Sequence, residues 1–257
     1  LALDYWITRQ SQQLREQIRQ DYENYQFLNV YQKVHNFCVI ELGSFYLDII
    51  KDRQYTAKSD GLARRSTQTA MYHITEVLVR LIAPILSFTA DEIWQFVPGE
   101  RAESVFLAQF AEGLPTLPAR DDFSDAFWRE LIEVKTAVNK ELEKQRAEKK
   151  VGAALSAEVT LYCDDVLLKR LSMLKDELRF VLIVSAADLQ PMTSGDAADT
   201  VATELPGLRL RVTPSAQEKC VRCWHHRPDV GAHASHPELC GRCVDNISGD
   251  GEQRYYA

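Results

Sequence analysis

The chain opens with apolar side chains at helical spacing. Apolar residues on one helical face, set among Gln, Arg and Glu, predict an exposed amphipathic helix over 2–22. A longer stripe, with steps of three, four and five residues, runs from about 24 to 58 and predicts a second helical stretch whose buried face drifts. The members of that stripe are Phe27, Val30, Val34, Phe37, Leu42, Phe45 and Ile49.

Two further helical patterns follow. Ser59-Asp60 can cap a helix whose apolar stripe lies over 71–81, and Pro84 is expected to end or kink it. Thr89-Ala90-Asp91-Glu92 has the form of a capping box and predicts the start of a short helix. Pro98-Gly99 is expected to stop that helix.

Residues 99–124 show no clear period and are predicted to form a long loop that packs on the helices. Ser124-Asp125 then predicts the cap of a helix over about 125–149. The second half of that helix, 140–150, is dense in charges of both signs. Both a solvated helix face and an RNA contact fit such a stretch, and we favour the solvated face.

The pattern changes after residue 152. Alternating residues over 158–162 and 208–212 predict strands, and the apolar run 180–184 predicts a buried strand. Asp164-Asp165 can cap a short helix that ends near Leu174. Residues 190–204, rich in Ser, Asp, Thr and Ala, predict a mobile connection.

The order of elements predicts a mainly α protein in three parts. A helical bundle over 1–152 is followed by a small α/β domain over 153–215 and a cysteine-containing module over 216–257. The chain begins at Leu1 without a Met and within a helical pattern, so we expect it to be a piece of a longer protein.

Four cysteines near the end of the chain carry the most specific motif. Cys220 and Cys223 form one C-x-x-C pair, and Cys240 and Cys243 form another after a loop of sixteen residues. Zinc binds four thiolates in a tetrahedron, and this spacing lets two tight turns present two sulfurs each. With no open coordination position, the predicted single Zn²⁺ is structural.

Two disulfides are the alternative for these four thiols. A disulfide framework is typical of short secreted chains, whereas Cys38 and Cys163 lie far away in apolar runs. We therefore predict zinc. The neighbouring histidines are interpreted as loop or surface residues, or as groups next to the ligands at most. They are His225, His226, His233 and His236.

Composition and charge narrow the classes of function. The net charge of −7 excludes a simple basic nucleic-acid binder, so any RNA contact must use a local patch. No run of about 18 apolar residues and no signal peptide are visible, so we expect no membrane partner. Thiol usage fits a reducing compartment, and we expect a cytoplasmic monomer.

A basic segment at 51–65 has a local charge of +3, from five cations against two acids. Cations bind phosphate, aromatic faces stack on bases, and amides read base edges, a mixture that suits single-stranded RNA loops. A solvated helix end with dipole-compensating charges fits the composition equally well. The candidate RNA contacts here are Lys51, Arg53, Gln54, Tyr55, Lys58, Arg64 and Arg65. In the cysteine module, Arg222, Trp224 and Arg242 are further candidates.

No catalytic constellation is apparent in the sequence. There is no glycine-rich phosphate loop, so we expect no ATP site in this chain, and no nucleophile is marked by its context. Asp91-Glu92 are neighbours on a predicted helix and point in different directions, so they do not make a carboxylate pair.

Several stretches resemble the helical anticodon-binding domain of the class I aminoacyl-tRNA synthetases for branched aliphatic amino acids. They are 46–55, 83–94, 104–107, 139–140 and 149–152. The tail Cys220-Val221-Arg222-Cys223-Trp224 with Cys240-Gly241-Arg242-Cys243 resembles the C-terminal zinc-binding peptide of the bacterial isoleucyl members of this family. The resemblance covers essentially the whole chain.

The resemblance implies that residues 1–152 bind the anticodon stem and loop of a tRNA. It also implies an enzyme that attaches isoleucine to tRNA with ATP, although the catalytic domain with its HIGH and KMSKS signatures and the editing domain are absent. ATP would bind only in that absent domain, and we expect this chain alone to be inactive. Catalytic residues are therefore not assigned in this chain.

Three alternatives remain open at this point. A similar four-cysteine finger ends the formamidopyrimidine-type DNA glycosylases, but the long helical bundle argues against that class. Valyl or leucyl relatives share the bundle without this tail. A scaffold domain whose helices pack on a partner chain would have no RNA role and would not bind tRNA at low salt.

Overall fold

A computed structural model of the protein describes residues 1–110, 117–118, 120–193 and 199–257. The chain forms two compact units. Unit 1 contains Leu1–Asp48 and Arg65–Asp122, and unit 2 contains Ile49–Arg64 and Phe123–Ala257. The predicted three-part division at residues 152 and 215 stays a prediction. None of the helices in the described part of the chain has the length and hydropathy of a membrane-spanning segment.

The first helices follow the predicted stripes. Helix α1 spans Ala2–Glu23, and α2 spans Phe27–Asn36. A π-helical segment, Phe37–Tyr46, leads directly into α3, Leu47–Thr56. The step of five residues in the apolar stripe lies in this π segment, where hydrogen bonds run from i to i+5. The drift of the stripe therefore has a local cause in the backbone.

In unit 1, the π segment packs on α1 and holds the buried carboxylate of Asp4, which lies in α1. The rings of Trp6 and Phe45 meet edge to face with centroids 5.7 Å apart. The buried carboxylate of Asp4 accepts hydrogen bonds from the hydroxyls of Tyr46 at 2.8 Å and Ser66 at 2.5 Å. Tyr22 donates from its hydroxyl to the Leu81 carbonyl at 2.8 Å. These bonds satisfy polar groups that burial would otherwise penalise.

Helix α4 spans Leu62–Ile82 and ends two residues before Pro84, as predicted. Helix α5 spans Ser87–Phe96, so the predicted capping box at 89–92 is wrong. Its N-cap is Leu86, which makes no side-chain cap. The Asp91 carboxylate instead accepts from the Ser104 hydroxyl at 2.6 Å and from the Val105 amide at 3.1 Å.

These bonds order part of the predicted loop over 99–124. A short 3₁₀ turn forms at Val105–Leu107, and Val105 packs in an apolar cluster with Trp94 and Val79. The first part of the loop therefore packs on the helices, as predicted. Residues 111–116 and 119 lie outside the described part of the chain.

Unit 2 is built on a long helix and a four-stranded sheet. Helix α6 spans Asp125–Ala147, and the Ser124 hydroxyl accepts from the Phe127 amide at 3.3 Å, which confirms the predicted cap. The sheet has the order β2-β1-β4-β3. Its strands are β1 Ala157–Cys163, β2 Ala186–Pro191, β3 Val201–Ala202 and β4 Leu208–Pro214. Strand β1 pairs in parallel with β2 and antiparallel with β4, which pairs antiparallel with β3.

Two of the three predicted strands are confirmed. The third prediction, 180–184, is wrong, because α8 spans Leu178–Leu182 and ends at Ile183 in the left-handed region. A short, continuous apolar run cannot distinguish a buried strand from a buried helical turn. Of the predicted connection 190–204, residues 194–198 lie outside the described residues, and β3 lies in the remainder.

Two shorter helices complete the α/β part of unit 2. Asp164 caps α7, Asp165–Leu171, by accepting from the Leu167 amide at 2.8 Å, as predicted. A 3₁₀ segment, Ser172–Glu177, connects α7 to α8. The buried Lys135 of α6 donates to the Val181 carbonyl at 3.0 Å. The last helix, α9, spans Gly241–Ser248 and begins directly after Cys240.

Candidate metal centre and nucleic-acid interface

The two C-x-x-C pairs lie on different local structures that converge. Cys220 and Cys223 lie on a turn that an isolated bridge between Lys219 and His226 closes. Cys240 precedes α9, and Cys243 lies in its first turn. All four side chains are buried, and their Sγ atoms lie within 4.8 Å of one another. The folded chain thus brings all four predicted ligands into one cluster.

The spacing of the sulfurs fits zinc and excludes disulfides. All six cysteines are free thiols, and the Sγ atoms of Cys223 and Cys240 are 3.7 Å apart. A tetrahedron with Zn–S distances of about 2.3 Å has edges of about 3.8 Å. A disulfide would require about 2.05 Å. The four cysteines therefore form a structural zinc site, as the sequence predicted.

Donors around the sulfurs favour their charged form. The Cys240 amide donates to the Cys220 sulfur at 3.4 Å, and the Arg222 guanidinium donates to the Cys243 sulfur at 3.7 Å. Without a metal, the crowded thiols cannot all ionise. The hydrogen bond with Cys223, together with burial, raises the pKa of Cys240 above its ordinary value. A divalent cation is what makes four thiolates compatible at neutral pH.

One of the four histidines is not at the surface, and it fits the other predicted possibility, a group next to the ligands. His225 is buried, and its ring meets Phe180 edge to face with centroids 5.6 Å apart. His233 is exposed, while His226 and His236 are half-buried. Sequence spacing could not reveal that the residue after an exposed tryptophan points into the core.

The end of α3 separates the predicted RNA contacts into exposed and buried residues. Lys51 is exposed, and Tyr55 has 78% of its surface exposed. Arg53 is fully buried, at 0% exposure, and donates to the Ala63 carbonyl at 3.3 Å. Gln54 is half-buried. Arg53 therefore belongs to the interior of unit 2, and we leave it out of the proposed RNA surface.

The remaining cations of the segment differ in their surroundings. Lys58 is half-buried and donates from its Nζ to the Gly249 carbonyl at 3.1 Å. Arg64 is half-buried in unit 2. Arg65 is exposed and lies in unit 1.

The two arginines of the cysteine module that were predicted as RNA contacts both bind groups within unit 2. Arg222 donates to the Thr56 carbonyl at 2.6 Å. Arg242 forms a bidentate pair with Asp52, at 2.7 and 2.8 Å. Burial alone would raise the pKa of Asp52, but the charge and hydrogen bonds of Arg242 and the charge of Arg254 hold it well below its usual range. Arg242 therefore serves the fold, and we leave it out of the RNA surface as well.

Trp224 is an exposed aromatic residue of the module and directly follows Cys223. It has 60% of its surface exposed and adopts a φ of 65°, in the left-handed region. The ammonium of Lys219 lies 5.4 Å from the centre of its ring. Strained backbone at an exposed aromatic residue is typical of binding sites. Lys219 was not among the RNA contacts predicted from the sequence, although it directly precedes Cys220.

Comparison with known proteins defines the class to which the fold belongs. Residues 4–161 match the family described as "Anticodon-binding domain of tRNA ligase", and residues 217–246 match "Zinc finger found in FPG and IleRS". Because the first match covers more than half of the chain, the chain belongs to the family of anticodon-binding domains of tRNA ligases.

Among individual proteins, the chain is similar to bacterial isoleucine–tRNA ligases. It is 59% identical to that of Pseudomonas paraeruginosa and 58% identical to that of Pseudomonas aeruginosa, over all 257 residues. It is also 59% identical to isoleucine–tRNA ligase 1 of Pseudomonas fluorescens. The chain spans 27% of the length of each of these relatives. The matches do not favour the glycosylase or the valyl and leucyl alternatives.

Proposed function

We propose that this chain binds the anticodon stem and loop of a tRNA as the C-terminal part of an isoleucine–tRNA ligase. The observation that carries the proposal is the pairing of exposed aromatic and cationic side chains at two neighbouring places in unit 2. Tyr55 and Lys51 lie at the end of α3, and Trp224 and Lys219 lie in the cysteine module. The hydrogen bond from Arg222 to the Thr56 carbonyl joins the chain segments that carry these two pairs.

The chemistry of this surface suits an unpaired RNA loop. The rings of Tyr55 and Trp224 offer faces on which bases stack, with a contribution of about 1–3 kcal/mol per base. The ammonium groups of Lys51 and Lys219 bind phosphates, and the amide of Gln54 hydrogen-bonds base edges. Within unit 2, Lys58 and Arg64 are further proposed phosphate contacts, and Arg65 is proposed separately as a phosphate contact of unit 1. Local positive charge of this kind explains how an acidic chain can bind RNA.

Zinc has a structural role in this proposal. When bound, it supplies four metal–thiolate bonds that fold a module with little apolar core of its own. The chain's own residues then position the RNA-binding groups. Trp224 follows Cys223 directly, so its ring orientation depends on the turn that the first cysteine pair forms.

For the whole protein we propose ATP-dependent attachment of isoleucine to its tRNA, a step of protein biosynthesis. ATP and isoleucine would bind in a catalytic domain that this chain does not contain, so we expect the 257-residue chain to be inactive in charging tRNA. Thiolate ligands need a reducing compartment, which supports a cytoplasmic location. We propose that the protein acts as a monomer.

Titration of the purified, zinc-loaded chain with an isoleucine tRNA transcript tests the RNA proposal. We expect Tyr55→Ala and Lys51→Ala to weaken binding about tenfold, and Lys51→Ala to reduce the slope of affinity against salt. Tyr31→Ala and Lys169→Ala remove an exposed ring and an exposed charge elsewhere and serve as matched controls. Equal affinities for all four variants would reject this surface. Duplex DNA that competes as well as tRNA would favour the repair-protein class instead.

A further inference from the structure

Each C-x-x-C pair carries an arginine directly before its second cysteine, and both arginines reach the end of α3. Arg222 donates to the carbonyl of Thr56, the last residue of that helix, at 2.6 Å. Arg242 binds both carboxylate oxygens of Asp52, one turn earlier. The two metal-binding turns therefore hold the same helix end from two positions.

Helix ends have chemistry that suits this contact. The last carbonyl groups of a helix have no partner within the helix and carry partial negative charge. A guanidinium group satisfies such a carbonyl and compensates its charge. The Thr56 hydroxyl also donates to the carbonyl of Asp52 at 2.8 Å, within the same turn. The Arg222 guanidinium therefore binds a terminal carbonyl of α3, a group that the interior of a helix does not offer.

Asp52 is the centre of a buried ionic cluster. Arg254 also donates to its carboxylate, at 2.6 Å, and Glu252 binds both Arg242 and Arg254. The side chains of Asp52 and Arg254 are 15% and 2% exposed. Arg254 stacks on the ring of Phe180, with the guanidinium carbon 3.2 Å from the ring centre. Charged groups that are buried and fully paired hold one geometry.

Backbone contacts close the same junction. The Lys58 amide donates to the side-chain oxygen of Asn246 in α9, and the Lys58 ammonium binds the Gly249 carbonyl. Gly251 has a φ of +87°, and a Cβ there would lie 3.0 Å from the Cβ of Lys58. Only glycine permits this approach at that backbone angle.

The last turns of α3 consequently present three different faces. Arg53 points into the interior, Asp52 and Thr56 face the cysteine module, and Lys51 and Tyr55 are exposed. On a helix, residues four apart share a face, as Lys51 and Tyr55 do. Because these residues share one helix, a contact that fixes the orientation of Asp52 also fixes the direction in which Lys51 and Tyr55 point.

We propose that Asp52 is a positioning residue that couples the zinc site to the RNA-binding end of α3. When bound, zinc would fix the two cysteine turns, and the turns fix the positions of Arg222 and Arg242. The contact of Arg242 with Asp52 then fixes the orientation of the helix end that carries Lys51 and Tyr55. The RNA part of this inference rests on the proposed function. The structural coupling does not.

Hydrogen exchange and tRNA binding of Asp52→Asn, with zinc bound, test the coupling. We expect the amides of residues 54–58 to exchange at least tenfold faster than in the wild type, and tRNA binding to weaken about tenfold. Simple electrostatics predicts the opposite effect on RNA, because the substitution removes a negative charge. Asp60→Asn removes an exposed acid from the same segment, and we expect it to leave exchange unchanged and not weaken binding. Asp52→Glu should restore both properties to within about threefold.

Zinc removal from the wild type provides the second arm. We expect a chelator to accelerate exchange of residues 54–58 as strongly as Asp52→Asn does, while β1 amides stay protected. Unchanged exchange at 54–58 in Asp52→Asn, or acceleration confined to the cysteine turns after chelation, would overturn the coupling. If Asp52→Asn fails to fold by circular dichroism, Arg242→Lys replaces it with the same expectations. Wild-type chain that does not bind tRNA would reject the proposed function, and the exchange data would still decide the coupling.

Discussion

Arg242 donates two hydrogen bonds to the carboxylate of Asp52, although 190 positions separate the two residues in the chain. One residue lies between two zinc ligands, and the other lies in the basic segment that the sequence singles out. The pair joins the metal site to a helix end that carries exposed aromatic and cationic groups. Stability, metal binding and RNA binding are therefore expected to respond together when it is broken.

Breaking this pair should destabilise unit 2. Asp52→Asn leaves Arg242 and Arg254 with one acidic partner fewer in a buried cluster, and we expect a loss of about 2–3 kcal/mol in the free energy of unfolding. Urea unfolding of the zinc-loaded chain, followed by circular dichroism, measures it. Asp60→Asn, at an exposed position, should stay within about 0.5 kcal/mol of the wild type. A loss for Asp60→Asn equal to that for Asp52→Asn would contradict the assignment.

Metal analysis of the reduced, purified chain should give one zinc ion per chain. Cys240→Ser removes a ligand from a closed four-thiolate site, and we expect zinc content close to zero after dialysis. Cys38→Ser changes a thiol outside the cluster and should keep the full zinc content. Reduced wild-type protein that contains no zinc would rule out the metal site.

Substitution of Trp224 can separate the energetic cost of its backbone conformation from its proposed role in tRNA binding. Its φ of 65° is costly for a tryptophan but not for glycine, by about 1 kcal/mol or more. We therefore expect Trp224→Gly to leave the free energy of unfolding unchanged or slightly higher, while tRNA binding weakens at least tenfold through the lost stacking surface. Urea unfolding and tRNA titration of the same preparation measure the two effects. Equal tRNA affinity in Trp224→Gly and wild type would remove Trp224 from the interface.

Tyr22 makes the stability of unit 1 sensitive to alkali. Burial raises the pKa of Tyr22 to about 12, above the ordinary value near 10 in an unfolded chain. The neutral form is favoured in the folded state, so its contribution to stability is full below pH 10 and is lost as the pH rises towards 12. The tyrosinate absorbance difference between wild type and Tyr22→Phe should appear only above about pH 11. A difference that develops at pH 10 would show an ordinary, solvated phenol.

Local sequence patterns predicted the elements whose signals are local. The cap at Ser124, the end of α4 before Pro84 and the four-cysteine cluster all follow from short-range rules about caps, proline and ligand spacing. The run at 180–184 failed because burial on every side removes the periodicity that separates a strand from a helix. The box at 89–92 failed because α5 begins two residues earlier, at Ser87, which places Thr89 inside the helix and not at its N-cap.

The composition of the basic segment could not distinguish exposed cations from buried ones. Arg53 and Lys51 look alike in sequence, yet one is fully buried and the other is exposed. The partners of Arg242 lie 190 positions away at Asp52 and 10 away at Glu252, and no local rule connects them. Ion pairs between residues far apart in the chain can be identified only from the tertiary structure. The junction between α3 and the cysteine module was therefore not predicted.

Photo-crosslinking from position 55 tests the central claim, RNA binding by the end of α3, most directly. A benzophenone amino acid replaces Tyr55 in the zinc-loaded chain, the complex with isoleucine tRNA is irradiated, and the crosslinked nucleotide is mapped by primer extension. Tyr31, an exposed tyrosine elsewhere, carries the same group in the control. We predict crosslinks from position 55 within the anticodon loop and none there from position 31. Crosslinks from position 55 only to the acceptor arm, or no crosslinks at saturating tRNA, would contradict the account.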